Sequence, residues 1–259
     1  MTALITGASS GIGESLAREL ARRGYDVVLV ARSGEKLRTL GEQLGRQHGV
    51  RAHVIALDLV AAGAAATLVE RAHAAAGRID LLVNNAGFAT YGRFAETSLA
   101  DELDEMRLNV EVLTELTKRL LPDLLAGRGK VLNVASTAAF QPGPLMAVYY
   151  ATKAYVLSFS EALAEELAPT GVTVTCLCPG STRTGFQARA KLEDSRLLMI
   201  GLLSADAVAR RAVDGLLKGR RIVIPGLQHW LGAQLPRVLP RSLTTKIVRW
   251  LQDRRHGHA

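Results

Sequence analysis

Tyr149 and Lys153 are the residues of this chain best suited to proton transfer. On a helix, two residues four positions apart lie on one face. A free phenol has a pKa of about 10, which is too high for ready proton exchange at neutral pH. A neighbouring ammonium favours the phenolate and makes a tyrosine usable as both acid and base. Tyr150 competes for this role, but its own i+4 position is Ala154, which carries no charge.

Two further polar residues accompany this pair. Ser136 follows an apolar run that reads as a strand, thirteen residues before Tyr149, and can hydrogen-bond a substrate oxygen from the other side. Asn109 lies in the middle of a helical stretch, where asparagine is unfavourable unless its side chain has a partner.

A glycine-rich turn, TGASSGIG, follows the first strand and leads directly into a helix. Gly7, Gly11 and Gly13 permit a sharp turn and close approach of the backbone to a pyrophosphate. The helix N-terminus adds unpaired N–H groups and a positive dipole. The pattern favours a dinucleotide site, and the alternative is a tight turn that serves packing alone.

The end of the second strand bears on cofactor choice. NAD-selective sites usually place an acidic residue there, for the ribose 2′-hydroxyl. This chain has Ala31 and then Arg32, which can pair with a 2′-phosphate, and Ser33 can assist. We therefore expect NADP(H) to be preferred, with NAD(H) as the second cofactor. A solvated surface arginine is the alternative interpretation of Arg32.

Apolar runs alternate with amphipathic stretches along the whole chain, which is typical of a doubly wound α/β fold. Several runs are apolar at consecutive positions, as in strands covered on both faces. We predict one Rossmann-type domain with a seven-stranded, mainly parallel sheet. The predicted strands are Thr2–Thr6, Asp26–Ala31, Ala52–Leu57, Leu81–Asn84, Lys130–Val134, Val172–Leu177 and Arg221–Ile224. The predicted helices are Gly13–Arg23, Glu35–His48, Ala61–Ala76, a long helix from Ser98 to Ala126, Ala151–Leu167 and Ala205–Leu217.

Composition excludes several other classes of protein. The chain has 259 residues, of which 48% are hydrophobic and 22% charged, as in a folded globular domain. No apolar run is long enough for a membrane helix, and the N-terminal residues do not resemble a signal peptide. Two cysteines, Cys176 and Cys178, are too few for a disulfide framework or a four-cysteine zinc site. We predict a cytoplasmic protein with no metal site.

The net charge of +8 lies mostly in the C-terminal tail. Residues 237–255 hold six basic residues and one acid, so this segment carries +5 and the rest of the chain +3. A nucleic-acid-binding protein needs a basic face together with a recognition motif, and we find no such motif. We expect no nucleic-acid partner.

Taken together, these motifs resemble the short-chain dehydrogenase/reductase family over about residues 2–226. The shared elements are TGASSGIG, NNAG at 84–87, Asn109, Ser136, Tyr149-x-x-x-Lys153 and PGSTRT at 179–184. The resemblance implies that Tyr149 is the general acid in carbonyl reduction, and that Lys153 holds the nicotinamide ribose and lowers the tyrosine pKa. Ser136 would polarise the carbonyl, and Asn109 would hold a water molecule of the proton relay.

The resemblance also implies where the cofactor lies. Asp58 would lie by the adenine, Asn85 to Gly87 along the cofactor, and Pro179, Gly180 and Thr184 on the nicotinamide side. From the residues alone, Asp58 and the NNAG segment can equally be helix caps. The predicted cofactor-binding residues are Gly7, Ser9, Ser10, Gly11, Ile12, Gly13, Arg32, Ser33, Asp58, Asn85, Ala86, Gly87, Tyr149, Lys153, Pro179, Gly180 and Thr184.

For the substrate, apolar residues near the strand ends suggest a hydrophobic ketone or aldehyde, with the reverse alcohol oxidation. In the resembling family the segment between Gly185 and Leu203 covers the substrate. Ordinary core packing of the same residues is the alternative. The predicted pocket residues are Phe88, Phe140, Leu145, Met146 and Phe186.

Residues 227–259 form a basic, amphipathic C-terminal extension of the 1–226 catalytic domain. Pro236 and Pro240 divide it, so a single helix is not expected. Its apolar face either packs on the body or a second subunit, or contacts a membrane surface peripherally, as basic segments with tryptophan can do.

We therefore predict an NADPH-preferring carbonyl reductase. The alternative is a non-catalytic NADP(H)-binding sensor or scaffold of the same fold. The resemblance further implies a homo-oligomer, either a dimer or a tetramer, that pairs through the long helix and the Tyr149 helix.

Overall fold

Seven short apolar runs form one parallel β-sheet in the computed structural model, which describes residues 1–185 and 201–253. The sheet order is β3-β2-β1-β4-β5-β6-β9. Its strands are β1 Thr2–Thr6, β2 Asp26–Ala31, β3 Ala52–Ala56, β4 Leu81–Asn84, β5 Lys130–Val134, β6 Thr173–Leu177 and β9 Ile222–Val223. A separate short pair joins β7 Thr182–Arg183 to β8 Leu203–Ser204.

Helices cover both faces of the sheet, as consecutive buried residues such as Val27 to Val30 require. They are α1 Gly11–Arg22, α2 Gly34–His48, α3 Ala64–Ala76, α4 Leu99–Met106, α5 Leu113–Gly127, α6 Ala147–Leu167 and α7 Ala205–Leu217. One core cluster joins α1, α2 and α7 to one face. A second joins α3, α5 and α6 to the other face.

The strand order changes direction at β1, which pairs with β2 on one side and β4 on the other. The chain moves outward to β3, then returns to β4 and continues in the opposite direction. In such sheets a crevice opens at this point, outside the carboxyl ends of the strands. The turns after β1, β4 and β5 therefore meet at one edge of the sheet.

The long helix predicted from Ser98 to Ala126 is divided by a π-helical stretch, Arg107–Val112. Wider turns of this kind are often found at functional sites. Ser98 and Ser204 cap the helices that follow them, since each hydroxyl accepts a backbone N–H of the first helical turn. Helices α1 and α6 begin at Gly11 and Ala147, earlier than predicted.

The C-terminal extension forms α8 Leu227–Gln234, a 3-10 turn at Leu235–Arg237 and α9 Arg241–Gln252. Pro236 and Pro240 lie between the two helices, as the sequence indicates. Val248 packs in a buried cluster with Met146, Tyr149 and Tyr150, so α9 lies against the start of α6. Among the described residues, no helix is both long and apolar enough to cross a membrane.

Candidate active site

A cleft of about 940 Å³ lies at the carboxyl edge of the sheet and extends under α8 and α9. All seventeen predicted cofactor-binding residues line it, and Ser136 lines it as well. Residues from seven separate segments thus meet in one space, because parallel strands carry their following turns to the same edge.

The glycine turn fits a pyrophosphate. Gly7 and Gly11 have φ of 68° and 60°, where side chains are strained. A Cβ on Gly13 would come within 2.3 Å of the Gly7 carbonyl oxygen and 2.4 Å of Asn85 Nδ2. Asn85 Nδ2 donates to the Thr6 carbonyl at 2.8 Å, which ties β4 to this turn. The Ser10 side chain does not cap α1, so the helix N-terminus faces the cleft ready for an anion.

Positive charge gathers where the second strand ends. Arg32 and Lys36 line the cleft beside Ser33, and both side chains are exposed. Arg32 forms no ion pair with any described residue, so its guanidinium is available to a ligand. Asp58 lines the cleft from the next turn, where it also accepts a hydrogen bond from the Val60 backbone at 3.2 Å.

Tyr149 lies on the first turn of α6 with only 8% of its surface exposed. Its hydroxyl hydrogen-bonds the Ser136 side chain, which lies at the carboxyl end of β5. Burial raises the pKa of Tyr149 above its ordinary value, and the Ser136 hydrogen bond opposes this shift. Tyr149 is therefore a protonated phenol at neutral pH, placed as an acid beside a hydroxyl that can orient an oxygen.

Lys153 lies one turn further along α6, 6% exposed. Its Nζ donates to the Val134 carbonyl at 2.9 Å and lies 5.7 Å from the centroid of the Tyr149 ring. Burial lowers the pKa of Lys153 to about 8. Burial is the largest influence on the pKa of Tyr149, and the expected lowering of that pKa by Lys153 stays a prediction.

Asn109 lies in the π-helical stretch but does not line the cleft. Its Oδ1 accepts the Phe88 N–H at 3.2 Å, while Nδ2 donates to the Phe88 carbonyl at 3.0 Å and to Thr152 Oγ1 at 3.1 Å. These bonds hold the segment after β4 against α6. The structure thus gives the Asn109 side chain a positioning role, and its expected part in the proton relay stays a prediction.

Glu105 is a buried acid that sequence reasoning missed. It is 0% exposed, and its Oε2 accepts from the Thr90 N–H at 2.7 Å and from the Thr90 hydroxyl. Burial raises the pKa of Glu105. Its charge favours the Lys153 ammonium and disfavours the Tyr149 phenolate. The sequence signal that could have identified Glu105 is its position four residues before Asn109 on the predicted long helix.

The predicted substrate pocket is only partly assembled in the structure. Phe88 and Met146 line the cleft. Phe140 does not, because it packs against the core cluster of Leu113 and Val156 beneath the sheet edge. Leu145 lines a separate small cavity beside Thr90 and not this cleft. Phe186 lies outside the described residues, as does most of the predicted covering segment.

The extension supplies much of the remaining wall. A Cβ on Gly180 would lie 2.1 Å from His229 Nδ1, so α8 rests directly on the Pro179–Gly180 turn. Burial lowers the pKa of His229, which therefore faces this turn as a neutral ring. The apolar residues that the extension adds to the cleft are Leu235, Pro236, Leu239, Ile247, Val248 and Leu251.

Comparison with known proteins agrees with this site. The model of the family described as short chain dehydrogenase matches residues 1–195. The ketoacyl reductase HetN of Nostoc sp. is 34% identical over 217 residues, covering 83% of this chain and 75% of the relative.

Two solved structures are similar over nearly all of the chain. A short-chain dehydrogenase from Sphingobium yanoikuyae in complex with NADPH is 33% identical, with a TM-score of 0.81 and coverage of 94% of both chains. The bulky-bulky ketone specific alcohol dehydrogenase from Comamonas testosteroni is 29% identical, with a TM-score of 0.76, and covers 100% of this chain and 96% of its own. The chain therefore belongs to the short-chain dehydrogenase family of NAD(P)-dependent oxidoreductases.

Proposed function

We propose that this protein is an NADPH-preferring reductase of hydrophobic ketones or aldehydes, which also catalyses the reverse alcohol oxidation. The observation that carries the proposal is the buried Tyr149 phenol, bonded to Ser136 beside Lys153 in a cleft with an apolar roof. Among similar proteins, one solved structure contains NADPH and another is described as specific for bulky ketones. Both descriptions favour the same chemistry here.

The chain's own residues divide the work of carbonyl reduction. Ser136 Oγ and the Tyr149 hydroxyl hold the carbonyl oxygen, and Tyr149 transfers its proton to that oxygen as the alcohol forms. The Lys153 ammonium stabilises the phenolate that remains and holds the ribose of the cofactor. When bound, a nicotinamide dinucleotide would supply the hydride that the carbonyl carbon receives. The glycine turn after β1 and the N-terminus of α1 would hold its pyrophosphate.

The decisive assay is NADPH consumption with a panel of carbonyl compounds, from small aldehydes to long-chain and polycyclic ketones. The proposal predicts turnover that increases with apolar size until the cleft is filled. NADPH binding without turnover on any member would instead favour the sensor or scaffold alternative. That alternative is not favoured by the relatives, which are named as enzymes.

Cofactor preference is expected to depend on Arg32. An Arg32→Asp variant loses the cation proposed for the 2′-phosphate and gains an acceptor for a ribose 2′-hydroxyl. A charge-assisted hydrogen bond contributes about 1.5–3 kcal/mol, so the ratio of kcat/KM for NADPH over NADH should fall by about ten- to a hundredfold. Steady-state kinetics with each cofactor measure this ratio.

The matched control for that experiment is Arg46→Asp, which makes the same charge change on exposed surface near the end of α2. It should leave the cofactor ratio unchanged. An Arg32→Asp enzyme that keeps the wild-type preference for NADPH would remove Arg32 from the 2′-phosphate site.

We also propose that the extension, 227–259, contacts an anionic membrane surface with its outer face. While Val248 packs inward, large apolar side chains remain exposed along α8, α9 and the turn between them, including Trp230 at 47% and Val238 at 79%. Basic residues lie among them, namely Arg237, Arg241, Lys246 and Arg249. This combination suits an interfacial segment that also closes the cleft.

Vesicle flotation tests the membrane proposal. The wild-type protein should float with vesicles containing anionic lipid at low salt, and less at high salt because the charge term is screened. A Trp230→Ser, Val238→Ser double variant should remain at the bottom, while Leu125→Ser, an exposed apolar change on α5, should float like the wild type. Wild-type protein that never floats would contradict the proposal.

Two further features support the remaining predictions. Leu99, Leu103 and Met106 on α4 are at least 48% exposed, and Tyr155 on α6 is 39% exposed, which favours a dimer or tetramer formed through these helices.

Cys176 and Cys178 are both buried free thiols, which fits a cytoplasmic protein peripheral to the membrane.

A further inference from the structure

Gln252, the last residue of α9, is fully buried although it belongs to the C-terminal extension. Its Nε2 donates to the Tyr150 hydroxyl at 2.7 Å. Its backbone carbonyl accepts from the Tyr91 hydroxyl at 2.9 Å. Two hydrogen bonds therefore fix this residue on the body, and both Gln252 and Tyr150 line the cleft.

The side-chain oxygen of Gln252 has no hydrogen-bond partner among the described residues, although it is buried. Gln141, which also lines the cleft, carries a second buried oxygen without a partner, Oε1. A buried carbonyl oxygen without a donor costs about 1–3 kcal/mol. Two such oxygens belong to residues that line one cleft, and this favours an occupant that brings hydrogen-bond donors.

The surroundings of Gln252 make its side-chain oxygen selective between substrates with and without a hydrogen-bond donor. Tyr150 packs with Met146 and Val248, and its ring lies so close to Gly143 that a Cβ there would approach to 2.2 Å. An apolar wall therefore surrounds one acceptor. A substrate that meets this wall with hydrocarbon alone leaves the oxygen unpaired, whereas a hydroxyl or amide N–H at that point satisfies it.

We propose that Gln252, held by Tyr150, is a specificity-determining acceptor for a hydroxyl or amide N–H carried by the carbonyl substrate. The substrate class is then a hydrophobic ketone with a second, donating group, close enough to the carbonyl for both to reach the neighbouring Tyr149 and Tyr150 side chains, whose ring centroids are 6.1 Å apart. This inference rests on the proposed carbonyl reduction. Because the oxygen belongs to the extension, substrate choice depends on α9 as well as on the catalytic body.

The test uses several sets of three cyclic ketones. Within a set, one ring carbon bears hydrogen, hydroxyl or methoxy, and the sets differ in which ring carbon carries the substituent. A methoxy group can accept a hydrogen bond but cannot donate one. At the position that reaches Gln252, the hydroxy ketone should exceed both analogues about tenfold in kcat/KM. In Gln252→Met, which keeps the volume but loses the acceptor, the ratio should fall to about one.

Calorimetric binding of the same ketones to the NADPH complex of Tyr149→Phe separates this inference from the proposed function. A hydroxyl preference in binding that Gln252→Met removes would support the subsite even if no ketone is reduced. Gln234→Met, on α8 and away from the cleft, is the matched control and should keep the wild-type ratio. The inference is overturned if no position favours hydroxyl, if methoxy performs as well, or if Gln252→Met keeps the preference.

Discussion

Replacing Tyr149 by Phe is expected to lower kcat for carbonyl reduction by about 10²–10⁴-fold, the range typical of a lost general acid. The variant loses one hydroxyl only. The ring remains available for packing with Met146 and Val248, and Ser136 keeps its bond from the Ala138 N–H at 3.1 Å. NADPH affinity, measured by fluorescence titration, should therefore stay near the wild-type value while turnover is lost.

Tyr25→Phe is the matched control because Tyr25 is also buried, at 5% exposure, but lies before β2 and does not line the cleft. It should retain wild-type kcat. If Tyr149→Phe still reduces the preferred ketone at more than about a tenth of the wild-type rate, another group donates the proton, and the proposed role of Tyr149 fails.

The sheet was predictable because the sequence encodes it locally. Strands buried on both faces appear as consecutive apolar residues, and all seven predicted strands match the structure to within one residue at each end. Because the strands are parallel, the turns that follow them share one edge. This reasoning, together with the family resemblance that pointed to Thr184, predicted that Gly13 and Thr184 line one site, although 171 positions separate them.

Side-chain direction was not predictable in the same way. Phe140 and Met146 are both apolar residues near a strand end, yet Met146 lines the cleft while Phe140, partly buried, packs against a core cluster. The backbone between them decides this, including Leu145 at φ 69°, a conformation that composition does not indicate. Asn109 likewise bonds Phe88 from within a π-helical stretch that the sequence analysis did not predict.

The contribution of the extension was the least predictable part. Its amphipathic pattern indicates that one face is buried but not which surface covers that face. Gln252 lies 102 positions from Tyr150, and no motif marks either residue as a partner of the other. Such contacts arise from docking of α9 on the folded body, so they become visible only in three dimensions.

Lys153→Met is expected to remove a pH-dependent cost of folding while it lowers activity at every pH. Burial lowers the pKa of Lys153 from 10.5 to about 8. The unfolded chain therefore binds more protons than the folded protein between these pH values, and the free energy of unfolding rises with pH across that window. The pKa shift corresponds to about 3 kcal/mol in the free energy of unfolding. The wild type lacks this stability at neutral pH and regains it near pH 10.5.

The methionine variant carries no such ammonium. Denaturant unfolding at several pH values should show its stability relative to the wild type declining by about 3 kcal/mol between pH 8 and pH 10.5. Any constant cost of losing the bond to the Val134 carbonyl cancels in this comparison. A difference in stability that does not vary with pH would mean that Lys153 keeps an ordinary pKa in the folded protein.

Activity supplies the other half of the prediction. The wild-type kcat/KM for reduction should fall as pH rises through about 8, because the Lys153 ammonium is lost while Tyr149 stays protonated. Lys153→Met should lose most turnover at every pH, although it is relieved of a buried charge. Removal of Lys153 would then lower the cost of folding and abolish reduction. This combination would mean that Lys153 serves the reaction, since the packing of α6 against β5 does not require an ammonium at that position.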